Sequence, residues 1–231
     1  MANDAPSTRV PSQPGPDALN QGHTEQAPQV EPRERVVLDG VQIHRALTRI
    51  AHEILESNWA PESLYLVAIP NGGVPLGRLL GENIESLSGA RPGMGILDTT
   101  LYRDDLTARG TRPRLRKTEM PSSVDDRLVI LVEDVVNTGR TIRAAMDALM
   151  DFGRPRAVKV VALVDRGHRE LPIKIDHVGK NIPTQSGETV ILRIGDEKVA
   201  AGAEPESLEV VVRSRPDVSN PAQDVEQREG Q

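Results

Sequence analysis

Apolar positions fall at two alternating spacings along the middle of the chain. In "DGVQIHRALTRIAHEILESN", Val41, Leu47, Ile50, Ile54 and Leu55 recur at helical spacing, and Asp39 stands where an N-cap would. The compact run "SLYLVAIP" (63 to 70) predicts a strand, and "NGGVPLGRLLGENIESL" (71 to 87) returns to the helical period. Further strands are predicted in "MGILDTTLY" (94 to 102), "RLVILVED" (127 to 134) and "AVKVVALVD" (157 to 165). Shorter ones follow in "ETVILRIG" (188 to 195) and "LEVVVRS" (208 to 214), and "IRAAMDALMDFG" (142 to 153) reads as a helix. Strands alternating with helices imply right-handed crossovers, hence an α/β fold whose mostly parallel central sheet is flanked by helices on both faces. Ligands in such sheets sit beyond the carboxyl ends of the strands.

Three stretches break the pattern. Residues 1 to 34 are rich in Pro, Gln, Ser and Ala, and residues 215 to 231 read alike; neither has the apolar content to offset its chain entropy, so both are expected to be disordered. The expected globular domain is therefore 35 to 214. The third stretch, Asp104 to Asp126, is long, polar and basic, with Arg109, Arg112, Arg114, Arg116 and Lys117. Loops of that length inside a compact domain are functional lids or unstructured, and this one reads as a closing lid or as a merely solvated basic loop.

Composition narrows the picture. Aromatic residues make up only 2%, so the core must be built from Val, Ile, Leu and Ala, which favours aliphatic α/β layers over an aromatic-rich sandwich. There is no cysteine, which rules out disulfides and thiolate zinc sites. A net charge of -6 argues against coating nucleic acid by bulk charge and leaves room for one basic face. No run of about 18 apolar residues occurs and the amino-terminal stretch has no signal core, so a cytoplasmic location is expected.

The chemistry concentrates in "VILVEDVVNTGRT" (129 to 141). Glu133 and Asp134 come at the expected carboxyl end of a buried strand, and neighbours on an extended chain point to opposite sides, so the two acids can grip different hydroxyls, or a hydroxyl and a metal ion. After Val135, Val136 and Asn137, the run Thr138, Gly139, Arg140, Thr141 opens a helix whose N-terminal N–H groups attract a phosphate. Acids for sugar hydroxyls beside donors for a phosphate describe a sugar-phosphate site. As a bare strand-turn-helix, the same residues are equally a solvated strand end and a helix-entry turn. Neither a Walker loop nor a GxGxxG follows any strand.

The whole string resembles the phosphoribosyl diphosphate (PRPP) motif of type I phosphoribosyltransferases. "RALTRIAHEILE" (45 to 56), "LDTTLYRDDL" (97 to 106), "TGRTIRAAMDALMDFGRP" (138 to 155) and "LVDRGHRELPIKIDHVGKNIPT" (163 to 184) resemble the bifunctional pyrimidine operon regulators, the PyrR family. The resemblance implies a phosphoribosyltransferase-like domain with a small hood and a flexible lid loop. It also implies transfer of ribose 5-phosphate from PRPP to uracil, giving UMP and diphosphate, with magnesium (Mg2+) bridging the diphosphate.

By position in that family, Glu133 and Asp134 would hold the ribose hydroxyls, with Asp134 also meeting the metal. Val135 to Thr141 would wrap the 5-phosphate, with Arg140 in a catalytic role, and Asn71, Gly72, Gly73 and Arg103 would approach PRPP. Val178, with Gly179, would read the base edge from the hood, and Asp165 to Arg169 would lie close by. The family likeness further implies that the UMP-bound protein, a homodimer or homotetramer, grips pyrimidine operon mRNA. Its RNA face would comprise Thr48, Arg49 and His52, which share one side of a helix, together with Arg169, Lys174 and Lys180. Two departures bear on rate: Asn71 and Gly72 replace a basic stretch of the relatives, and Asn137 stands where an aromatic residue is usual. Two other readings stay open. One is an RNA-binding regulator with a vestigial nucleotide site; the other is a purine-type phosphoribosyltransferase without an RNA role.

Overall fold

Five strands lie side by side in the computed structural model of the chain, which describes residues 32–57, 59–70, 72–104, 117–195 and 207–214. They are β2 (Leu64–Ala68), β3 (Gly93–Ile96), β4 (Leu128–Val136), β5 (Ala157–Asp165) and β6 (His177–Asn181). Their order is β3-β2-β4-β5-β6 and every pairing is parallel. Alternate residues serve opposite faces. Leu64, Leu66, Leu128, Ile130 and Val132 pack against helices α1 (Gly40–Leu55) and α2 (Gly73–Ser88), while Val67, Val129 and Leu131 pack against α3 (Arg140–Leu149). A sheet covered on both sides needs apolar side chains at every position, which is why β2 and β4 read as continuous hydrophobic runs.

A second, antiparallel sheet has the order β1-β8-β7, formed by Arg33–Leu38, Leu208–Ser214 and Glu188–Ile194. Its inner residues Leu38, Val190, Leu192, Leu208, Val210 and Val212 join the core layer that holds α1 and α2. This is the small hood. α1 starts at a capping box: the Asp39 carboxylate accepts from Gln42 N (2.8 Å), and the Gln42 side chain accepts from Asp39 N (3.1 Å).

Several expectations are corrected. β4 does not end at the two acids; it runs on through Val135 and Val136, which pair with Val164 and Asp165 of the equally long β5. The strand expected over 94 to 102 stops at Ile96, because the Asp98 carboxylate accepts from Thr100 N (2.9 Å) and turns the chain into a 3-10 turn at Thr100–Tyr102. Neither β1 nor β6 was expected. β1 begins at Arg33, inside the segment read as disordered, because Glu34 ion-pairs with Arg193 and Arg213 across the hood. The far end of the basic loop is fixed: Glu119 pairs with Ile96 in both directions, at 2.7 and 2.8 Å. Residues 105 to 116, with the lid arginines, lie outside the described residues, as do Asn71, residues 1 to 31 and residues 215 to 231. Among the described residues no helix is long and apolar enough to cross a membrane.

Candidate functional site

A cleft of about 660 Å³ opens where β4 leaves the sheet, at the carboxyl ends of the strands. Its floor is the end of β4, the turn Asn137–Gly139 and the first residues of α3; Arg166 and Glu170 form a wall, and Val190 to Leu192 of the hood form the roof. The turn depends on glycine. Gly139 has φ of 91°, a left-handed conformation that side chains other than hydrogen strain, and it releases the chain directly into α3. The first N–H groups of that helix have no intrahelical partners and face the floor, alongside the hydroxyls of Thr138 and Thr141.

The two acids differ in surroundings. Glu133 is buried and its Oε2 has no hydrogen-bond partner. Burial pushes its pKa well up, the Asp134 charge adds to this, and Arg103 opposes both. Asp134 is also raised by burial, offset by the 2.9 Å bond that its Oδ1 accepts from Val135 N. Asn137 Oδ1 is likewise buried and unpartnered. Unsatisfied buried acceptors are costly, and here they cluster beside a cleft into which a hydroxyl-bearing ligand could project its donors.

Basic groups gather on the opposite side. Arg103 donates to Thr141 Oγ1 at 2.6 Å; Arg140 donates to Glu170 (2.8 Å) and Asp104 (2.5 Å). Arg166 donates to Thr184 Oγ1 (2.9 Å) and to the Glu188 carbonyl (2.8 Å), and partial burial lowers its pKa. Gly72 and Gly73 are dictated by close approach. A β-carbon at Gly72 would overlap the Asp134 carboxylate, and one at Gly73 would overlap the Val132 carbonyl. Gly72 abuts the Asp134 side chain and Gly73 the backbone just before Glu133, and neither is among the residues that line the cleft.

Glu133, Asp134, Val135, Val136, Asn137, Thr138, Gly139, Arg140, Thr141 and Arg103 therefore come together as the sequence suggests. Val178 does not. It lies on β6, the edge of the parallel sheet rather than the hood, and its carbonyl accepts from Arg49 (2.8 Å). The hood residues that meet the cleft are Val190, Ile191 and Leu192, which sequence reasoning missed, whereas Arg166 falls within the Asp165 to Arg169 stretch expected close to the site. Only the "DRGHRELP" string hinted at Arg166; nothing local marks β7 as a roof.

The residues expected at an RNA face divide. Arg49 bridges α1 to β6, donating to Glu53 and to the Val178 and Gly179 carbonyls, and Lys180 on β6 donates to the Val37 carbonyl (3.0 Å). His52 is exposed on α1, half-buried Thr48 bonds back to the His44 carbonyl, and Lys174 is exposed before β6. Arg169 is turned the other way, against the cleft turn.

Among the described residues no group of three or more His, Cys, Asp or Glu side chains could enclose a metal ion. The carboxylates at the cleft floor are Glu133 and Asp134, oxygen donors of the kind that suit a hard cation when a ligand's phosphates complete its shell. That is the usual manner of magnesium held with a polyphosphate.

The phosphoribosyl transferase domain family matches residues 37–193. The bifunctional protein PyrR of Pelotomaculum thermopropionicum is 52% identical over 167 residues, covering 71% of this chain and 92% of that protein. The bifunctional protein PyrR of Deinococcus radiodurans is 49% identical over 158 residues, covering 68% and 86%. Among solved structures, a hypoxanthine phosphoribosyltransferase from Staphylococcus aureus superposes with a TM-score of 0.55 at 20% identity, over 80% of this chain and 94% of that one. The hypoxanthine phosphoribosyltransferase of Trypanosoma cruzi gives 0.54 at 20%, over 78% and 97%. At that identity the two structures speak for the fold alone.

Proposed function

The chain belongs to the phosphoribosyl transferase domain family and, within it, to the bifunctional PyrR proteins; on that footing we propose that it converts uracil and PRPP to UMP and diphosphate, and in its UMP-bound form holds a pyrimidine operon mRNA. One observation carries the catalytic half. The unpartnered Glu133 Oε2 and the half-buried Asp134 lie in the same cleft as the donor-rich Thr138–Thr141 turn, which offers acceptors for ribose hydroxyls next to donors for a phosphate.

In this reading Glu133 and Asp134 accept hydrogen bonds from the ribose hydroxyls. The 137–141 turn and the α3 N-terminus hold the 5-phosphate, and Arg103 and Arg140 face the remaining charge. Asp134 would hold magnesium beside the diphosphate, and the ion would supply charge neutralisation of the leaving group. As the bond to diphosphate breaks, the sugar gains positive charge, which draws the neighbouring acids toward their ionised form and is stabilised by them in turn. The β7 roof excludes water and, with Arg166, meets the base and aligns uracil N1 on the anomeric carbon. RNA would lie along Thr48, Arg49, His52, Lys174 and Lys180, on the α1 and β6 side. The protein acts in the cytoplasm as a homodimer or homotetramer, a reading that the exposed apolar side chains of Leu101, Met150 and Phe152 support.

The test is Asp134→Asn. Hydrogen bonds to a charged group contribute about 1.5–3 kcal/mol, so catalytic efficiency with PRPP should fall at least roughly tenfold. Parent-like turnover of uracil by this variant would show that the ribose binds elsewhere. A parent that binds leader RNA with UMP sensitivity yet forms no UMP would instead be a nucleotide-sensing regulator without catalysis.

A further inference from the structure

Arg169 falls within the set that family resemblance assigns to RNA, yet its guanidinium is engaged inside the protein. It is only 20% exposed. Nη1 donates to the Asn137 carbonyl at 2.7 Å, Nη2 to Asp165 Oδ2 at 2.7 Å and Nε to the Ile173 carbonyl at 3.2 Å. Those acceptors belong to three separate segments: the turn after β4, the end of β5 and the loop before β6. Its aliphatic stem packs beneath the left-handed glycine, with Cδ 3.6 Å from where a β-carbon on Gly139 would stand.

The neighbours of Arg169 act on the same turn. The Thr138 carbonyl accepts from Glu170 N (3.0 Å) and Leu171 N (3.4 Å). The 137–139 turn belongs to neither helix nor strand, so its shape is set from behind by the 169–171 segment while its other side faces the cleft. The same loop continues through Lys174 to β6, whose Val178 and Gly179 carbonyls hold Arg49.

We propose that Arg169 is a positioning residue for the phosphate-binding turn, and that it affects RNA binding only through the nucleotide site, not by touching RNA. The second half rests on the proposed UMP-responsive RNA binding; the first half stands apart from it. The geometry requires a fork. A planar guanidinium can serve three acceptors in fixed directions at once, whereas a lysine ammonium is a point charge on a flexible stem, so keeping the positive charge should not restore the turn.

The experiment compares the parent with Arg169→Lys and with Asp165→Asn, which loosens the same guanidinium from its partner. Melting curves confirm that each variant is folded. Amide hydrogen exchange at residues 137 to 140 should quicken in both. The KM for PRPP and the UMP dissociation constant should rise about tenfold in Arg169→Lys, with kcat at saturating PRPP changed far less. Titration of a pyrimidine-leader RNA should give parent-like affinity without UMP, and the tightening that UMP produces in the parent should need about tenfold more UMP in Arg169→Lys.

Two results would overturn the proposal. One is unchanged exchange and KM in the variants; the other is RNA affinity that falls by the same factor with and without UMP, the signature of a direct contact. A parent that binds no RNA at all would defeat the regulatory function proposed above and with it the claim about RNA, while the exchange and PRPP measurements would still decide whether Arg169 positions the turn.

Discussion

Glu133 carries an acid into the core, and the consequence for stability has a definite sign. Burial, with the Asp134 charge, raises its pKa above the ordinary 4.5, so the folded state favours the neutral carboxyl. Stability from that group is fully present below the unfolded pKa and is lost as pH rises toward the folded value. Glu133→Gln should therefore gain little stability at pH 4 and progressively more toward pH 8, in the same preparation that loses uracil transfer. Melting temperatures of parent and variant across that range check this; an equal gap at every pH would place the ionised carboxylate in a compensated setting. At this scale much was legible in the sequence, because the acids and Thr-Gly-Arg-Thr form one unbroken local string. Arg166 was legible only as part of the Asp165 to Arg169 stretch, because its own place in the wall depends on Thr184 and Glu188, about twenty residues away.

The turn between β2 and α2 shows how an element can be fixed by another element's side chain. Gly72 has no side chain, and the space that one would occupy is taken by the Asp134 carboxylate. Gly72→Ala should thus displace the Asp134 carboxylate or the turn. Overpacking of this kind costs about 1–3 kcal/mol, and the KM for PRPP should rise with it. A variant with parent-like melting temperature and KM would mean that Asp134 has room to shift. The helices and the long strands were legible because their periods and caps are local, as with Asp39. β1 was not: its partner β8 lies more than 170 residues along the chain, and an edge strand that reads "RERVVL" carries the charges of its exposed face rather than an alternating signal. β6 was hidden for the same reason, a short edge strand with polar ends, and so Val178 was assigned to the wrong sheet.

The molecule as a whole is acidic, with a net charge of -6, so RNA affinity must come from local arrangement and not from bulk charge. Arg49 and Lys180 converge where α1 meets β6, although both also bond to backbone carbonyls within the protein. His52→Ala with Lys180→Ala should weaken leader-RNA binding, and each lost phosphate contact on a single strand should reduce the slope of log affinity against log salt by about 0.7. Uracil transfer should stay close to the parent rate, since neither side chain lines the cleft. An unchanged salt slope would move the RNA face elsewhere.

The central claim is that the cleft between β4 and the hood transfers ribose 5-phosphate to uracil. The most direct measurement is the initial rate of diphosphate release from PRPP by the purified protein with magnesium, run in parallel with uracil, hypoxanthine and guanine. The account requires release with uracil, accompanied by stoichiometric UMP, and little or none with either purine. Release with hypoxanthine or guanine but not with uracil would contradict it.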